Sequence, residues 1–298
     1  MKNIIIFGAS LFGKKVFNYY KNKKEISIIA FCDNDTLKHN QKLFDKNIIS
    51  PNTIFDYTFD EIIIASSYEQ EIKEQLIKMN IEKNKIKIFH TNVEEIQLKN
   101  DDLLLISQSL MLDIAKLFNK NYIKYHIDHG TLLGLIRDNK ILPWDIDIDF
   151  AILLEEKDKV VKLLDMYLTT YKNQYSKVNN WQYFINEEVN PIDDTKISSM
   201  YITIVNNINN DKNTIGLDIH IKYPDDKKLY WMVAQRKLSA TKKICFPTID
   251  FEFQDVKLKV PNNANKYLTE LYGDWKIPVK QWDYSQYSNI DSYRKYGK

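Results

Sequence analysis

The sequence predicts an α/β front domain on a doubly wound parallel sheet, followed by a larger α+β domain in which strands come to dominate. Three observations carry this. Short apolar runs alternate with helix-spaced patterns over roughly the first ninety residues. Near the middle stands a run of alternating aspartates and apolar residues, Asp145-Ile146-Asp147-Ile148-Asp149-Phe150, and further strand-like segments follow it. A chain of 298 residues accommodates two domains of ~100–200 residues, drawn at 1–95 and 101–298.

In the front domain, Asn3 to Phe7, Ile26 to Phe31, Glu61 to Ala65 and Lys85 to Phe89 are apolar enough for strands buried on both faces, which implies parallel pairing. Leu11 to Lys21 and Glu69 to Met79 space their apolar residues as helices do. The polar stretch Asn92 to Asn100 reads as a linker. Asp101-Asp102 then start a helix with Leu103, Ile106, Leu110, Ile114, Leu117 and Phe118 on one face. A strand (Tyr122 to Ile127), a short helix (Thr131 to Arg137), the aspartate strand (Asp145 to Ile152) and a helix (Lys157 to Thr170) follow. Strands at Ser199 to Val205 and Gly216 to Tyr223 flank the polar stretch Asn206 to Asn213. Phe251 to Phe253 and Val256 to Val260 form a hairpin about Gln254-Asp255, before a last helix at Asn265 to Tyr272.

Composition excludes several classes. Forty-two Lys and Arg against 40 Asp and Glu leave a net charge of +2, without the basic surplus that a nucleic-acid or anionic-membrane partner calls for. Cys32 and Cys245 stand alone in unlike contexts, as core thiols rather than zinc or redox residues. Gly8 interrupts the apolar opening Ile4 to Phe7, which favours a strand over a signal peptide. No apolar run reaches the ~18 residues of a membrane helix, so a cytoplasmic protein without a membrane span is expected.

The aspartate strand is the most informative feature. Alternation puts Asp145, Asp147 and Asp149 on one strand face. Asp is depleted in strands, and in-phase like charges repel, so this face needs a cation. Hard oxygen ligands favour Mg²⁺, or Mn²⁺ in its place, over zinc. Upstream, His129-Gly130-Thr131-Leu132-Leu133-Gly134 leads from a strand into a helix, whose first N–H groups suit phosphate; Gly130, Thr131 and Arg137 are candidate donor-binding residues. The bland alternatives are a solvated edge strand and an ordinary helix cap.

These residues resemble a family. Gly130-Thr131-Leu132-Leu133-Gly134, Arg137 and Leu142-Pro143-Trp144-Asp145-Ile146-Asp147-Ile148-Asp149 are similar to the signature of LicD-type and fukutin-related transferases. Leu217-Asp218-Ile219, Val260-Pro261, Tyr267-Leu268 and Leu271-Tyr272-Gly273-Asp274-Trp275 extend the likeness over about residues 101 to 283. The resemblance implies a nucleotidyltransferase-type fold. It also implies Mg²⁺-dependent transfer of phosphocholine, or of a polyol phosphate such as ribitol or glycerol phosphate, from a CDP-linked donor to a glycan acceptor of capsule, lipooligosaccharide or teichoic-acid type. Carried over by position, Asp147, Asp149 and Asp218 are metal ligands, and Asp145 joins them as a catalytic carboxylate; either Asp145 or Asp218 is the general base. The family often has Gly where His129 stands here, and Asp where Ile146 stands.

His220 shares a strand face with Asp218 if alternation holds, and is a candidate donor-binding residue; His126 and His129 lie near the same motifs. Trp181, Tyr183, Trp231, Trp275, Trp282 and Tyr284 offer material for a quaternary-ammonium cage, with core packing as the alternative. Gly8-Ala9-Ser10-Leu11-Phe12-Gly13 follows the first strand and opens a helix, with Asp33 or Asp35 where a ribose-binding acid would come. This part resembles the Rossmann-like domain at the front of some bacterial sugar-modifying enzymes. The likeness implies nucleotide or nucleotide-sugar binding through Gly8, Ser10, Gly13 and Asp33, or a retained scaffold. Two other functions remain open: a nucleotidyltransferase that releases pyrophosphate from an NTP, and a non-catalytic sugar-nucleotide-binding protein.

Overall fold

The computed structural model describes residues 1–9, 11–66, 68–89, 101–143, 145, 147–176, 179–206, 216–234, 236–279 and 284–293. The chain divides into two compact units, Met1–His90 and Thr91–Arg294.

The first unit contains β1 (Lys2–Phe7), α1 (Leu11–Tyr20), β2 (Ile26–Cys32), β3 (Lys42–Leu43), β4 (Lys46–Ile49), β5 (Glu61–Ile64), α2 (Glu69–Lys78) and β6 (Ile86–Ile88). Its sheet runs β3-β4-β2-β1-β5-β6, and every pairing is parallel except that of β3 with β4. Because β1 is central and covered on both faces, Ile4, Ile5, Ile6 and Phe7 are all buried. Ile5 and Phe7 pack toward α2 residues Ile72 and Leu76, while Ile4 and Ile6 pack toward Val16 of α1. The hairpin β3–β4 was not anticipated, since Lys46-Asn47-Ile48-Ile49 holds only two apolar residues. Its turn, Phe44-Asp45, has φ of 50° and 62°, the left-handed geometry that suits a two-residue hairpin.

The second unit opens with α3 (Asp101–Lys120), β7 (Tyr125–Ile127), α4 (His129–Asp138), β8 (Asp147–Leu153), α5 (Lys157–Leu168), β9 (Trp181–Val189) and β10 (Ile197–Asn206). There follow β11 (Gly216–Pro224), β12 (Lys228–Val233), β13 (Arg236–Thr241), α6 (Lys242–Cys245), β14 (Ile249–Phe253), β15 (Val256–Val260), α7 (Ala264–Tyr272) and β16 (Ile290–Tyr293). The large sheet runs β16-β13-β12-β11-β10-β9, with β8 parallel to β11 and β7 antiparallel to β8. Strand β11 shares one edge between two neighbours: residues 216–222 pair with β8, and Tyr223 and Pro224 pair with β12. Ile106, Leu110, Ile114 and Phe118 of α3 join Ile148, Phe150, Leu217 and Ile219 in one core, so the predicted apolar stripe of α3 is its buried face.

Three local readings change. Strand β8 begins at Asp147, so Asp145 lies ahead of it, in a turn where its N–H donates to the Leu142 carbonyl at 3.0 Å. Helix α4 begins at His129 rather than Thr131. Strands β9, β12, β13 and β16 were not read; β9 carries Gln182, Asn186, Glu187 and Glu188, which masks its strand character. The expected β14–β15 hairpin is present, with Gln254 and Asp255 at φ of 48° and 61°. Both cysteines are buried free thiols, as expected. The proposed linker Asn92 to Asn100 lies outside the described residues.

Candidate active site

Parallel pairing of β8 with β11 sets Gly216 beside Asp147, Asp218 beside Asp149 and His220 beside Ala151. Cross-strand neighbours share a sheet face, so Asp147, Asp149, Asp218 and His220 project together, while Ile148, Phe150, Leu217 and Ile219 fill the core behind them. Antiparallel pairing extends the rows. Thr203 of β10 and Phe184 of β9 continue the Asp149–Asp218 row, and Tyr201 and Asn186 continue from His220. Glycine at 216 leaves no side chain between Asp147 and the next strand.

Asp145 joins this group from outside the strand. Carboxylate oxygens of Asp145, Asp147 and Asp149 lie within 4.8 Å of one another. Gly130 makes the approach possible, because a Cβ built there would fall 2.2 Å from Asp145 Oδ2. Thr131 is fully buried, and its Oγ1 accepts the N–H of Asp149 at 2.9 Å. The Asp128 N–H donates in turn to the Asp149 carbonyl at 2.9 Å, so the turn before α4 grips the backbone of Asp149 on both sides. His129 enters α4 with φ of 42°, a conformation glycine adopts freely and histidine rarely. That explains why glycine suits this place in the family resembled.

Electrostatics make the cluster costly on its own. Burial, then Asp147 and Asp218, push the Asp149 carboxyl well above the usual carboxylate range. His220 Nε2 stands 3.3 Å from Asp149 Oδ1, within hydrogen-bonding reach, and burial lowers the His220 pKa. Two tyrosines that were not candidate site residues, Tyr201 and Tyr272, belong to the same surroundings. The Tyr201 hydroxyl is pushed up to about 12 by burial and by Asp218. Burial and Asp149 likewise raise Tyr272, whose ring stacks on Tyr287 at 5.4 Å. No periodicity marked them; only sheet register and packing bring them here.

Behind His220 lies a buried polar group that the sequence did not disclose. Lys222 Nζ is 2.6 Å from Asp128 Oδ2, with both side chains fully buried. The Tyr267 hydroxyl donates to Asp128 Oδ1 at 2.6 Å, and Lys222 Nζ sits 3.3 Å from the centre of the Trp231 ring. His129 lies between this pair and His220: its Nε2 is 3.5 Å from Asp128 Oδ2, and its ring centre is 4.6 Å from that of His220. Tyr287 Oη is 2.9 Å from His129 Nδ1. Burial alone would raise the Asp128 carboxyl, but His129 and Lys222 outweigh it and hold it well below the usual range.

Other candidates are placed differently. The Arg137 guanidinium donates to both carboxylate oxygens of Asp138, at 3.0 and 2.9 Å, and to the Trp275 carbonyl at 3.5 Å; none of these partners is a site carboxylate. His126 is buried in the core with Nδ1 on the Ile127 carbonyl. Among the described residues the aromatic cage is not assembled: Trp231 already holds Lys222, Trp275 donates Nε1 to Thr269, Trp181 is buried against Tyr171 and Tyr183 donates to Asp165, while Tyr284 stands near the site carboxylates, its hydroxyl pushed up by burial and by Asp147. Trp282 lies outside the described residues.

In the first unit, Gly8 has φ of 123°, and a Cβ there would fall 2.2 Å from the Ala65 carbonyl oxygen. A Cβ on Gly13 would fall 1.8 Å from the Gly8 oxygen, so both glycines serve close packing of the turn against β5 and α1. Asp33 Oδ2 accepts the Ala9 N–H at 2.7 Å and the Lys38 ammonium at 3.1 Å. Asp35 accepts from Leu37 N. Ser10 lies outside the described residues.

Comparison with known proteins follows the same division. Residues 122–263 match the family described as LicD/FKTN/FKRP, nucleotidyltransferase domain, and residues 1–87 match C2185-like, N-terminal. The chain is similar to "Ribitol-5-phosphate transferase FKTN" of Macaca fascicularis, with 27% identity over 186 residues, 60% of this chain and 35% of that protein. The Homo sapiens protein of the same name is 26% identical over the same shares. The chain thus spans about a third of the length of these relatives. Among solved structures, UDP-D-quinovosamine 4-dehydrogenase from Vibrio fischeri is 25% identical over 29% of this chain and 75% of its own, at a TM-score of 0.25, too low to bear on the fold. No helix among the described residues is long and apolar enough to cross a membrane.

Proposed function

Because residues 122–263 make this chain a member of the LicD-type family, we propose that its second unit is a divalent-cation-dependent transferase of nucleotidyltransferase fold. It moves a phosphorylated small group, polyol phosphate or phosphocholine, from a CDP-linked donor to a sugar hydroxyl of a cell-surface glycan. The observation that carries this is the meeting of four aspartates. Asp149 and Asp218 are neighbours in register, Asp147 precedes them on the same face, and Asp145 arrives from the turn against Gly130.

The residues fit a hard divalent ion. Every ligand offered is a carboxylate oxygen, and the burial and neighbouring acids that push the Asp149 carboxyl upward make a charge conflict that a cation relieves. Asp147, Asp149 and Asp218 would hold Mg²⁺ or Mn²⁺, which when bound supplies charge stabilisation to phosphoryl oxygens. The chain's own part is positional. The 128–131 turn grips the backbone of Asp149, His220 occupies Oδ1 of Asp149, and β11 brings Asp218 to the same row. Asp145 and Asp218 are the candidates to accept the proton of the acceptor hydroxyl. The glycan end of the substrate has polar and aromatic surface available along Tyr201, Thr203, Asn186 and Phe184.

Ribitol phosphate is the first head group to try, because the relatives named above are ribitol-5-phosphate transferases. The test is a release assay with Mg²⁺ on CDP-ribitol, CDP-glycerol, CDP-choline and NTPs, reading CMP and pyrophosphate separately. CMP from one CDP-linked donor, lost with EDTA, supports the transferase. Pyrophosphate from an NTP supports a nucleotidyltransferase instead. Donor binding unaffected by EDTA, with no turnover, supports a sugar-nucleotide-binding protein. For the first unit, Asp33 spends its carboxylate on Ala9 and Lys38, which favours the scaffold role over ribose binding.

A further inference from the structure

We infer that Lys222 is a positioning residue for the carboxylate site: by drawing the Asp128 carboxylate into the core, it leaves the start of α4 to Asp145. This rests on the metal site proposed above and assigns a role to a buried ion pair that the transfer chemistry does not itself employ.

Asp128 occupies the capping position of α4 with extended backbone, φ −130° and ψ 175°, where an aspartate ordinarily accepts an N–H from the first helical turn. It makes no such bond. Its two oxygens instead meet Lys222 and Tyr267, each at 2.6 Å, in full burial. The carboxylate found at the helix start is that of Asp145, packed on the bare Cα of Gly130. A helix start favours one anion, and two carboxylates there repel each other. The Lys222 ammonium therefore decides which of them takes the place.

The choice matters for geometry. With Asp128 turned inward, Asp145 closes on Asp147 and Asp149 to within 4.8 Å. With Asp128 turned outward, it competes for the helix start and Asp145 is displaced from the cluster. Lys222 stands on the same strand as Asp218 and His220, so the register that delivers Asp218 also delivers the clamp. Stability alone does not call for this arrangement, since buried ion pairs are commonly matched by apolar replacements of like volume.

The experiment is Mn²⁺ binding to the full chain, followed by calorimetry and by the electron paramagnetic resonance signal of free Mn²⁺, with thermal melting to verify folding. Lys222→Met removes the cation that holds Asp128 inward, leaving only the Tyr267 hydroxyl on Oδ1, and is expected to weaken Mn²⁺ binding about 10-fold. Asp128→Ala combined with Lys222→Met removes the competitor as well, and binding returns to within about 3-fold of the unaltered chain. A merely structural pair predicts no recovery. Should Lys222→Met not fold, Lys222→Gln takes its place, with a loss of at least about 3-fold expected. Binding by the single variant equal to that of the unaltered chain, or a double variant no better than the single, overturns the inference. If the unaltered chain binds no Mn²⁺, the metal site falls first and the inference falls with it.

Discussion

Each unit runs a strand through a turn into a ten-residue helix with a glycine at or just inside the junction, and each sets an aspartate beside that turn, yet the two aspartates are committed in opposite ways. In the first unit Asp33 closes on the turn itself, accepting the Ala9 N–H and the Lys38 ammonium. In the second unit Asp128 is pulled away from the turn by Lys222 and Tyr267, and further carboxylates gather in front of the helix. A strand–turn–helix with glycines is therefore not a ligand site by pattern alone. Where its own acid saturates the turn it is scaffold, and where that acid is withdrawn the helix start can serve chemistry.

Substitutions can break this contrast at either end. The largest effect is expected at the carboxylates: Asp147→Asn should reduce CMP release from the accepted donor by at least about 100-fold with folding intact, as measured by initial rates and circular dichroism. Gly130→Ala comes next. Its methyl group collides with Asp145 Oδ2, so Mn²⁺ affinity should fall about 10-fold in a titration while the melting temperature changes little. In the first unit the matching change, Gly13→Ala, collides with the Gly8 backbone and should lower stability by about 1–3 kcal/mol in urea unfolding, despite alanine's better helix propensity. Asp33→Ala is the mildest, costing about 1 kcal/mol as the Ala9 N–H loses its partner. If Asp33→Ala instead abolished binding of a nucleotide by the first unit, the contrast between the turns would collapse.

Much of this was legible in the sequence because the relevant signals are local. Alternation identified Asp147 and Asp149, and placed Asp218 and His220 on one face; apolar runs identified the parallel sheet of the first unit, and Gln254-Asp255 marked the β14–β15 hairpin of the second. What escaped depends on distant pairing. Asp145 was read into the strand because alternation cannot show where a strand begins, whereas the turn at Leu142 ends the preceding segment and lets Asp145 reach Gly130. Strand β9 was hidden by polar residues that are at home on an exposed sheet edge. Nothing in the run Ile219-His220-Ile221-Lys222-Tyr223 marks Lys222, since no sequence window contains Asp128, Tyr267 and Trp231 together. Arg137 bore a familiar spacing, but its Nε and Nη2 donate to its neighbour Asp138.

The parallel seam between β8 and β11 also dictates when the site can exist during synthesis. His220 reaches Asp149 across 71 positions of chain, and parallel contacts of such long sequence separation form late. A nascent polypeptide that has emerged only as far as α5 carries three of the four aspartates but has no strand to bring the fourth, so a growing chain holds an incomplete set of the proposed ligands. On the proposed metal site, capture of an ion waits until β11 has docked, and release of Mn²⁺ during unfolding is expected to report the opening of that one seam rather than the loss of helices elsewhere.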